Sequence, residues 1–272
     1  MATPAISGAA ALIRQYFTDG YYPTGVPAAN DPILPTAALL RAVILNSTRD
    51  MTGISGYPSN LEGWGRLVAD DALHFPGDSR SMVVRDVRNT SDEALATGES
   101  YEFEVDVAGS EEPFRATMAF TDAPAGAGVF NAVVNDVNLV VESPSGVLYQ
   151  GNSMSGGLSV ANSGTTDGIN SVEQVIVASP EAGVWIVRVE GTSVNVGQQG
   201  FGIAVTGEVG EAVTEVCAGD TNGDNVVNFT DLNTVIGAFG SVKGGPGDVD
   251  GSGIVDFTDL NLVLSNFGAD CN

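Results

Sequence analysis

Tyr101-Glu102-Phe103-Glu104-Val105-Asp106-Val107 alternates apolar and acidic side chains without a break. A period of two sends successive side chains to opposite faces, so the stretch reads as a strand with one buried and one solvated face. The alternation recurs at Phe114, Ala116, Met118 and Phe120, and at Val137, Leu139 and Val141. It returns at Trp185, Val187 and Val189, and at Phe201, Ile203 and Val205. Turn signals lie between these runs, notably Ser143-Pro144-Ser145-Gly146 and Pro180-Glu181-Ala182-Gly183. Many short strands joined by Gly/Pro turns predict an antiparallel β-sandwich over residues 79–207.

Beyond the strands the pattern changes. Residues 220–231 read Asp220-Thr-Asn222-Gly-Asp224-Asn225-Val226-Val-Asn228-Phe-Thr-Asp231. Residues 248–259 read Asp248-Val-Asp250-Gly-Ser252-Gly253-Ile254-Val-Asp256-Phe-Thr-Asp259. Calcium, a hard cation, takes oxygen ligands from positions 1, 3, 5, 7, 9 and 12 of a loop of about 12 residues, position 7 giving a backbone carbonyl. In the first loop those positions are Asp220, Asn222, Asp224, Val226, Asn228 and Asp231; in the second they are Asp248, Asp250, Ser252, Ile254, Asp256 and Asp259. Position 6 turns with positive φ, which suits Gly253 and, next best, Asn225. The bland alternative is a pair of polar turns. It is disfavoured because both loops are followed by the same Phe-Thr-Asp-Leu-Asn context at a fixed offset, and internal repetition is strong evidence for a structural unit.

Each loop runs into an apolar-periodic stretch, 232–239 and 260–267, that ends at Gly240 or Gly268, a helix stop. Gly244-Gly245-Pro246-Gly247 ahead of the second loop cannot be a helix. Each unit is thus a loop with an exiting helix only, whereas a complete EF-hand needs two helices. This pattern resembles the type I dockerin family across residues 217–272. The resemblance implies two structural calcium ions, folding on metal binding, and a protein partner, cohesin in that family, bound through the helices. Phe229-Thr230 and Phe257-Thr258 depart from the family's common Ser-Thr at those positions, which bears on the partner rather than on the metal. Cys217 and Cys271 bracket this segment. A disulfide tying its ends is expected, as in small secreted domains; two free thiols are the alternative.

The net charge of −24, with Lys243 the single lysine, argues against nucleic acid and anionic membrane surfaces as partners. No run of 18 or so apolar residues predicts a membrane span. The first residues also fail as a secretory signal: no basic segment precedes Ala9-Ala10-Ala11-Leu12-Ile13, and Arg14 follows it. Calcium loops and a disulfide nonetheless imply a secreted protein. The chain is therefore expected to be the C-terminal part of something longer.

Residues 1–17 read as a buried helix with Pro4 near its start and Ala5, Gly8, Ala9 and Ala11 allowing close packing. Met1-Ala2-Thr3-Pro4 ahead of such a helix resembles the nucleophile segment of subtilisin-like serine proteases. Residues 35–45 resemble that family's next helix, and Gly63-Trp64-Gly65-Arg66-Leu67 with Asp70, Ala72 and Leu73 its closing segment and helix. The resemblance implies a nucleophilic Ser immediately before Met1 and Asp and His motifs further upstream. No catalytic residue is then expected within this chain, which alone is expected to be inactive. His74, the one histidine, lacks the family's context, and Gly191-Thr192-Ser193 reads as a hairpin connection. Residues 1–78 are expected to fold poorly without their upstream core.

Thr121-Asp122-Ala123-Pro124, Val134-Asn135-Asp136-Val137-Asn138-Leu139 and Pro144-Ser145-Gly146 resemble, in that order, the jelly-roll domain that follows the catalytic domain in one group of alkaline subtilisin-like proteases. That domain carries calcium, and by similarity Asp167, Asn170 and Glu173 are candidates for a further calcium loop; a polar inter-strand loop is the alternative. Asp122, Asn135 and Asp136 are read as holding strand connections by side-chain to backbone hydrogen bonds.

The expected fold class is multidomain. Residues 1–78 would be a helical remnant of an α/β subtilisin-like domain, 79–207 a β-sandwich of jelly-roll type, 208–216 a linker, and 217–272 a small α-helical calcium-loop, dockerin-like domain. The expected function is the C-terminal portion of a secreted endopeptidase acting on protein substrates, held to a scaffold or cell surface by its last segment. The alternative is a non-enzymatic, calcium-dependent extracellular binding or adhesion protein.

Overall fold

A computed structural model describes residues 2–53, 56–212, 217–242 and 245–271. They form two compact units, residues 1–212 and 213–272. In the first unit, α1 (Ala2–Thr18) and α2 (Ala37–Asn46) precede two short paired strands, β1 (Thr48–Arg49) and β2 (Arg66–Leu67). Then come β3 (Ser81–Val87), β4 (Ser100–Val107), β5 (Phe114–Ala119), β6 (Asn135–Glu142), β7 (Leu148–Ser155), β8 (Leu158–Ala161), β9 (Val172–Val177), β10 (Gly183–Val194), β11 (Phe201–Gly207) and β12 (Val209–Glu211). One antiparallel sheet has the order β12-β4-β10-β6-β7-β8, the other β3-β11-β5-β9.

The two sheets enclose one core. Phe103, Val105 and Val107 of β4 point into it, as do Leu139 of β6, Trp185 and Val187 of β10, and Phe201, Ile203 and Val205 of β11. Trp185 stacks on Phe114 at 4.7 Å between ring centroids. The acidic residues between the β4 apolar positions remain exposed, as a half-solvated strand requires.

The four-stranded sheet is buried on both faces. Its outer face carries Met82, Val84, Ala119, Val172 and Ala204, which pack with Ile13 and Phe17 of α1 and Leu39, Ala42 and Val43 of α2. Gly202 permits this contact: a Cβ there would lie 2.2 Å from the Leu39 backbone nitrogen. Both ends of α2 are tied down. The Thr36 hydroxyl caps the Leu39 N–H, and Asp86 accepts from the Thr36 N–H and hydroxyl at 2.8 and 2.5 Å. At the other end Arg115 donates to the carbonyls of Asn46 and Thr48, and Gln174 to that of Leu45.

These contacts overturn the expected fold class. The protein is mostly antiparallel β-sheet, with four α-helices among the described residues. Residues 1–78 do not form a separate helical remnant: α1 and α2 are a layer on the four-stranded sheet, sharing its core. The sequence reading has residues 1–78 depend on an upstream core; in this structure the apolar faces of α1 and α2 are covered by downstream strands. The helix expected around Asp70–Leu73 is a single 3-10 turn, Ala69–Asp71. Gly191-Thr192-Ser193 is not a hairpin connection but an irregularity inside β10, where Thr192 Oγ1 accepts from Asn138 at 2.6 Å.

In the second unit, α3 (Phe229–Ala238) and α4 (Phe257–Ser265) pack over Val227, Val235, Val255 and Val263, and a disulfide joins Cys217 and Cys271. The fold does not itself establish a dockerin domain here. Residues 213–216 of the expected linker lie outside the described residues. No described helix is long and apolar enough to cross a membrane.

Gly202→Val should lower the unfolding free energy by about 1–3 kcal/mol, the usual cost of overpacking. It should also selectively weaken amide-exchange protection in α2. Unchanged protection at Leu39–Val43 would show that this close approach does not hold the helix layer.

Candidate metal centres

The two loops of the second unit are built alike. In the first, Asp220 Oδ1 accepts from the Asn222 and Gly223 N–H groups at 3.1 and 2.8 Å, and its Oδ2 from Asn225 at 2.8 Å. Asn225 holds φ +64°, the left-handed turn that lets the backbone fold back onto Asp220. In the second, Gly253 turns at φ +88° and its N–H donates to Asp248 Oδ2 at 2.9 Å. Asp231 and Asp259, both fully buried, close the loops. Asp231 accepts from the Thr221 and Asn228 N–H groups, each at 2.8 Å; Asp259 accepts from Val249 at 2.7 Å and Asp256 at 2.8 Å.

Asp231 and Asp259 do two jobs. Each belongs to a capping box: Asn228 caps α3, Asp256 caps α4, and the acid three residues on returns to the cap's own N–H. Helix and loop therefore fix one another. Burial would raise the pKa of both carboxyls, but the converging N–H donors outweigh it and hold them below the ordinary aspartate value.

The result is two groups of carboxylates, Asp220 with Asp224 and Asp231, and Asp248 with Asp250 and Asp259, each with ligand oxygens within 4.8 Å of one another. Asp248 Oδ1 is buried and has no hydrogen-bond partner. Oxygen donors drawn this close, one of them orphaned, suit a hard divalent cation. Of the other positions, Asn222 Oδ1 accepts from the Asp224 N–H and Ser252 donates to the Ile254 carbonyl, while Asn228 and Asp256 are engaged as helix caps. Asn228 Nδ2 also donates to the Val226 carbonyl at 3.3 Å.

A third acidic group is formed by the loop between β8 and β9 and the start of β9. Asp167 Oδ2 accepts from Asn170 at 2.7 Å and from Asn152 at 2.6 Å. Glu173 is fully buried on β9 and reaches across to accept from the Leu139 N–H of β6 at 2.7 Å. Gly151 leaves it room, since a Cβ there would sit 2.1 Å from Glu173 Oε2. Glu173 Oε1 and Asn138 Oδ1 are buried without partners. Burial, reinforced by Asp167 and Asp136, pushes the Glu173 carboxyl up to about 9. The sequence reading missed Asn138. Asp122 does hold the strand connection, accepting from Val134 and Asn135, but Asp136 accepts from the Asn138 side chain instead. The alternating apolar run around Asn138 disguised it as an ordinary strand position.

His74 is structural in its contacts: Nδ1 lies 2.8 Å from the Arg80 carbonyl, and its own carbonyl accepts from Tyr16.

No family model matches the chain. It is 29% identical to the serine protease/ABC transporter B family protein tagD of Dictyostelium discoideum, over 78% of this chain and 14% of that protein. It is 28% identical to tagB of the same organism, over 78% of this chain and 13% of that protein. Most of the chain is thus related to a region of proteins named as serine proteases, and it spans about one seventh of their length. Among solved structures, CBM35 from Cellvibrio japonicus Abf62 aligns at 14% identity and a TM-score of 0.28, covering 48% of this chain and 97% of that one. A likeness that slight says nothing about fold or function.

The raised Glu173 pKa fixes a pH dependence. An unfolded glutamate titrates near 4.5, so the folded state holds the proton more tightly. The stabilisation is complete below about pH 4.5 and is lost as pH rises towards 9. With chelator present, urea unfolding should show wild-type stability falling more steeply between pH 5 and 9 than that of Glu173→Gln. Parallel pH profiles would rule out a protonated buried Glu173.

Proposed function

We propose that this chain is the C-terminal portion of a secreted subtilisin-like serine endopeptidase whose last segment is a calcium-dependent docking end. The similarity to proteins named as serine proteases, over 78% of the chain, carries the reading. Met1-Ala2-Thr3-Pro4 supports it, although Met1 lies outside the described residues. So does the exposure of α1: Thr3–Gly8 and Leu12 face solvent, while Ile13, Tyr16 and Phe17 are buried. A helix rich in Ala, packed mainly through its C-terminal half, has a free face suited to a catalytic core lying upstream.

In this reading the nucleophile, base and orienting acid come from that upstream core. Residues 217–272 place the enzyme rather than run it. Calcium is held by Asp220, Asp224 and Asp231 in one loop and by Asp248, Asp250 and Asp259 in the other, with Asn222, Val226, Asn228, Ser252, Ile254 and Asp256 completing the oxygen sets. The ion offsets the mutual repulsion of the gathered carboxylates and locks each loop to its helix. The exposed side of the helices, with Ile236 and Leu264, meets a protein scaffold or cell-surface partner. A further calcium in the first unit would take Asp167, Asn170 and Glu173; the orphaned oxygens of Glu173 and Asn138 favour it.

The upstream reading frame discriminates between the protease and a free-standing calcium-dependent binding protein. In-frame codons for Gly-Thr-Ser immediately before Met1, with Asp and His motifs before them, are expected; a stop codon there would favour the binding protein. Titration calorimetry should find at least two calcium ions per chain. Combined Asp220→Ala and Asp248→Ala should remove two of them and melt the second unit while the sheets stay folded. Unchanged stoichiometry in that variant would refute the ligand assignment.

A further inference from the structure

Three of the nine arginines in this acidic chain, Arg49, Arg80 and Arg115, line one cavity of about 520 Å³. That size is typical of small-molecule sites. Two of the three are neutralised. Arg49 forms a two-pronged pair with Asp71 at 2.5 and 2.7 Å, and Arg80 Nη2 pairs with Glu112 at 2.8 Å. Arg115 forms no ion pair among the described residues; its Nη1 donates only to the carbonyls of Asn46 and Thr48, at 3.3 and 2.7 Å. Capping α2 accounts for that nitrogen alone. Arg115 Nε and Arg80 Nη1 are buried donors with no hydrogen-bond acceptor, although Arg80 Nη1 lies 3.8 Å from Asp71 Oδ2. Burial lowers the Arg115 pKa, the sign expected of a cation short of counter-charge.

Pro113, Leu158 and Ile176 give the wall an apolar stretch, and Tyr57 and the acidic Asp50 also border the space. An inorganic anion would answer the charge but waste this wall. A neutral apolar ligand would leave the arginine donors unanswered. We infer that the cavity binds an organic monocarboxylate with an apolar substituent, its carboxylate paired with Arg115 and its apolar group against Pro113, Leu158 and Ile176. A small free acid and the C-terminal residue of a peptide both carry this chemistry.

Calorimetric titration of the full chain with N-acetyl-leucine, N-acetyl-leucinamide, acetate and a peptide ending in leucine tests it. N-acetyl-leucine should bind saturably, with the amide and acetate each about tenfold or more weaker, the loss expected on removing a charge-assisted contact or the apolar anchor. Tighter binding of the peptide than of N-acetyl-leucine would assign the site to peptide C-termini; equal binding would assign it to free acids. Arg115→Met should abolish binding. Leu158→Glu, on a half-exposed edge strand, puts a negative charge at the cavity without touching the α2 cap, so it stays informative if the arginine variant fails to fold. The amide binding as tightly as the acid, Leu158→Glu binding normally, or no saturable binding to the wild-type chain would overturn the assignment.

Discussion

The contact between α2 and β11 governs the architecture of the first unit. Gly202, Ala204 and Thr206 give β11 an outer face shallow enough for a helix to lie almost on its backbone. Such closeness buries the helix end and its polar groups, which then need partners. Asn46 is 1% exposed and makes four hydrogen bonds: Nδ2 donates to the Arg115 and Ala204 carbonyls and to Thr117, and Oδ1 accepts from Thr206. Each such group left unpaired would cost about 1–3 kcal/mol. The polar residues on the outer face of β5, β9 and β11 are therefore there for the helix. The helix and the sheet are one folding problem, and neither is finished without the other.

That dependence explains what could be read from the sequence. β4 was legible because one of its faces is solvated, so Glu102, Glu104 and Asp106 mark the period. β3 and β9 were not, because their outer faces also carry large apolar residues, Met82 and Val84 in β3 and Val172 in β9, so the alternation that the small and polar outer residues of β11 preserve is lost. In β9 the difficulty is compounded by Glu173 and Gln174, polar residues at fully buried positions. Gln174 is occupied with Thr117 and the α2 carboxyl end, and Glu173 fills the gap where β6 and β7 part. The helices themselves were legible; their partner was not. Nothing in residues 1–46 reveals that their sheet lies downstream, because an apolar helix face does not name what covers it.

The second unit shows the opposite balance. Its short-range chemistry was readable, since loop positions, positive-φ residues and glycine helix stops are local properties. What was not readable is how the repeats complete each other. The Val227 N–H donates to the Ala269 carbonyl and its carbonyl accepts from Gly268, while Val255 pairs with Ser241 and Gly240 in the same manner. Phe229 packs edge-on to Phe267 at 4.9 Å between centroids, and Phe239 to Phe257 at 5.0 Å. Each aromatic pair joins the start of one helix to the segment after the other, so the helices run antiparallel and neither repeat is complete alone.

This reciprocity bears on how the acidic loops are tolerated. Two carboxylates about 5 Å apart repel by roughly 1–3 kcal/mol, depending on how much water screens them. Each loop gathers three, and the only basic residue after position 212 is Lys243. The N–H donors that converge on Asp231 and Asp259 offset part of this, as their lowered pKa values indicate. They do not reach Asp248 Oδ1. The remaining repulsion acts on the loops, and because each loop is braced by the segment after the other's helix, strain in one is passed to both. A cation in either loop would therefore steady the pair. Metal affinity and folding in this unit are consequently expected to be one cooperative property rather than two independent sites.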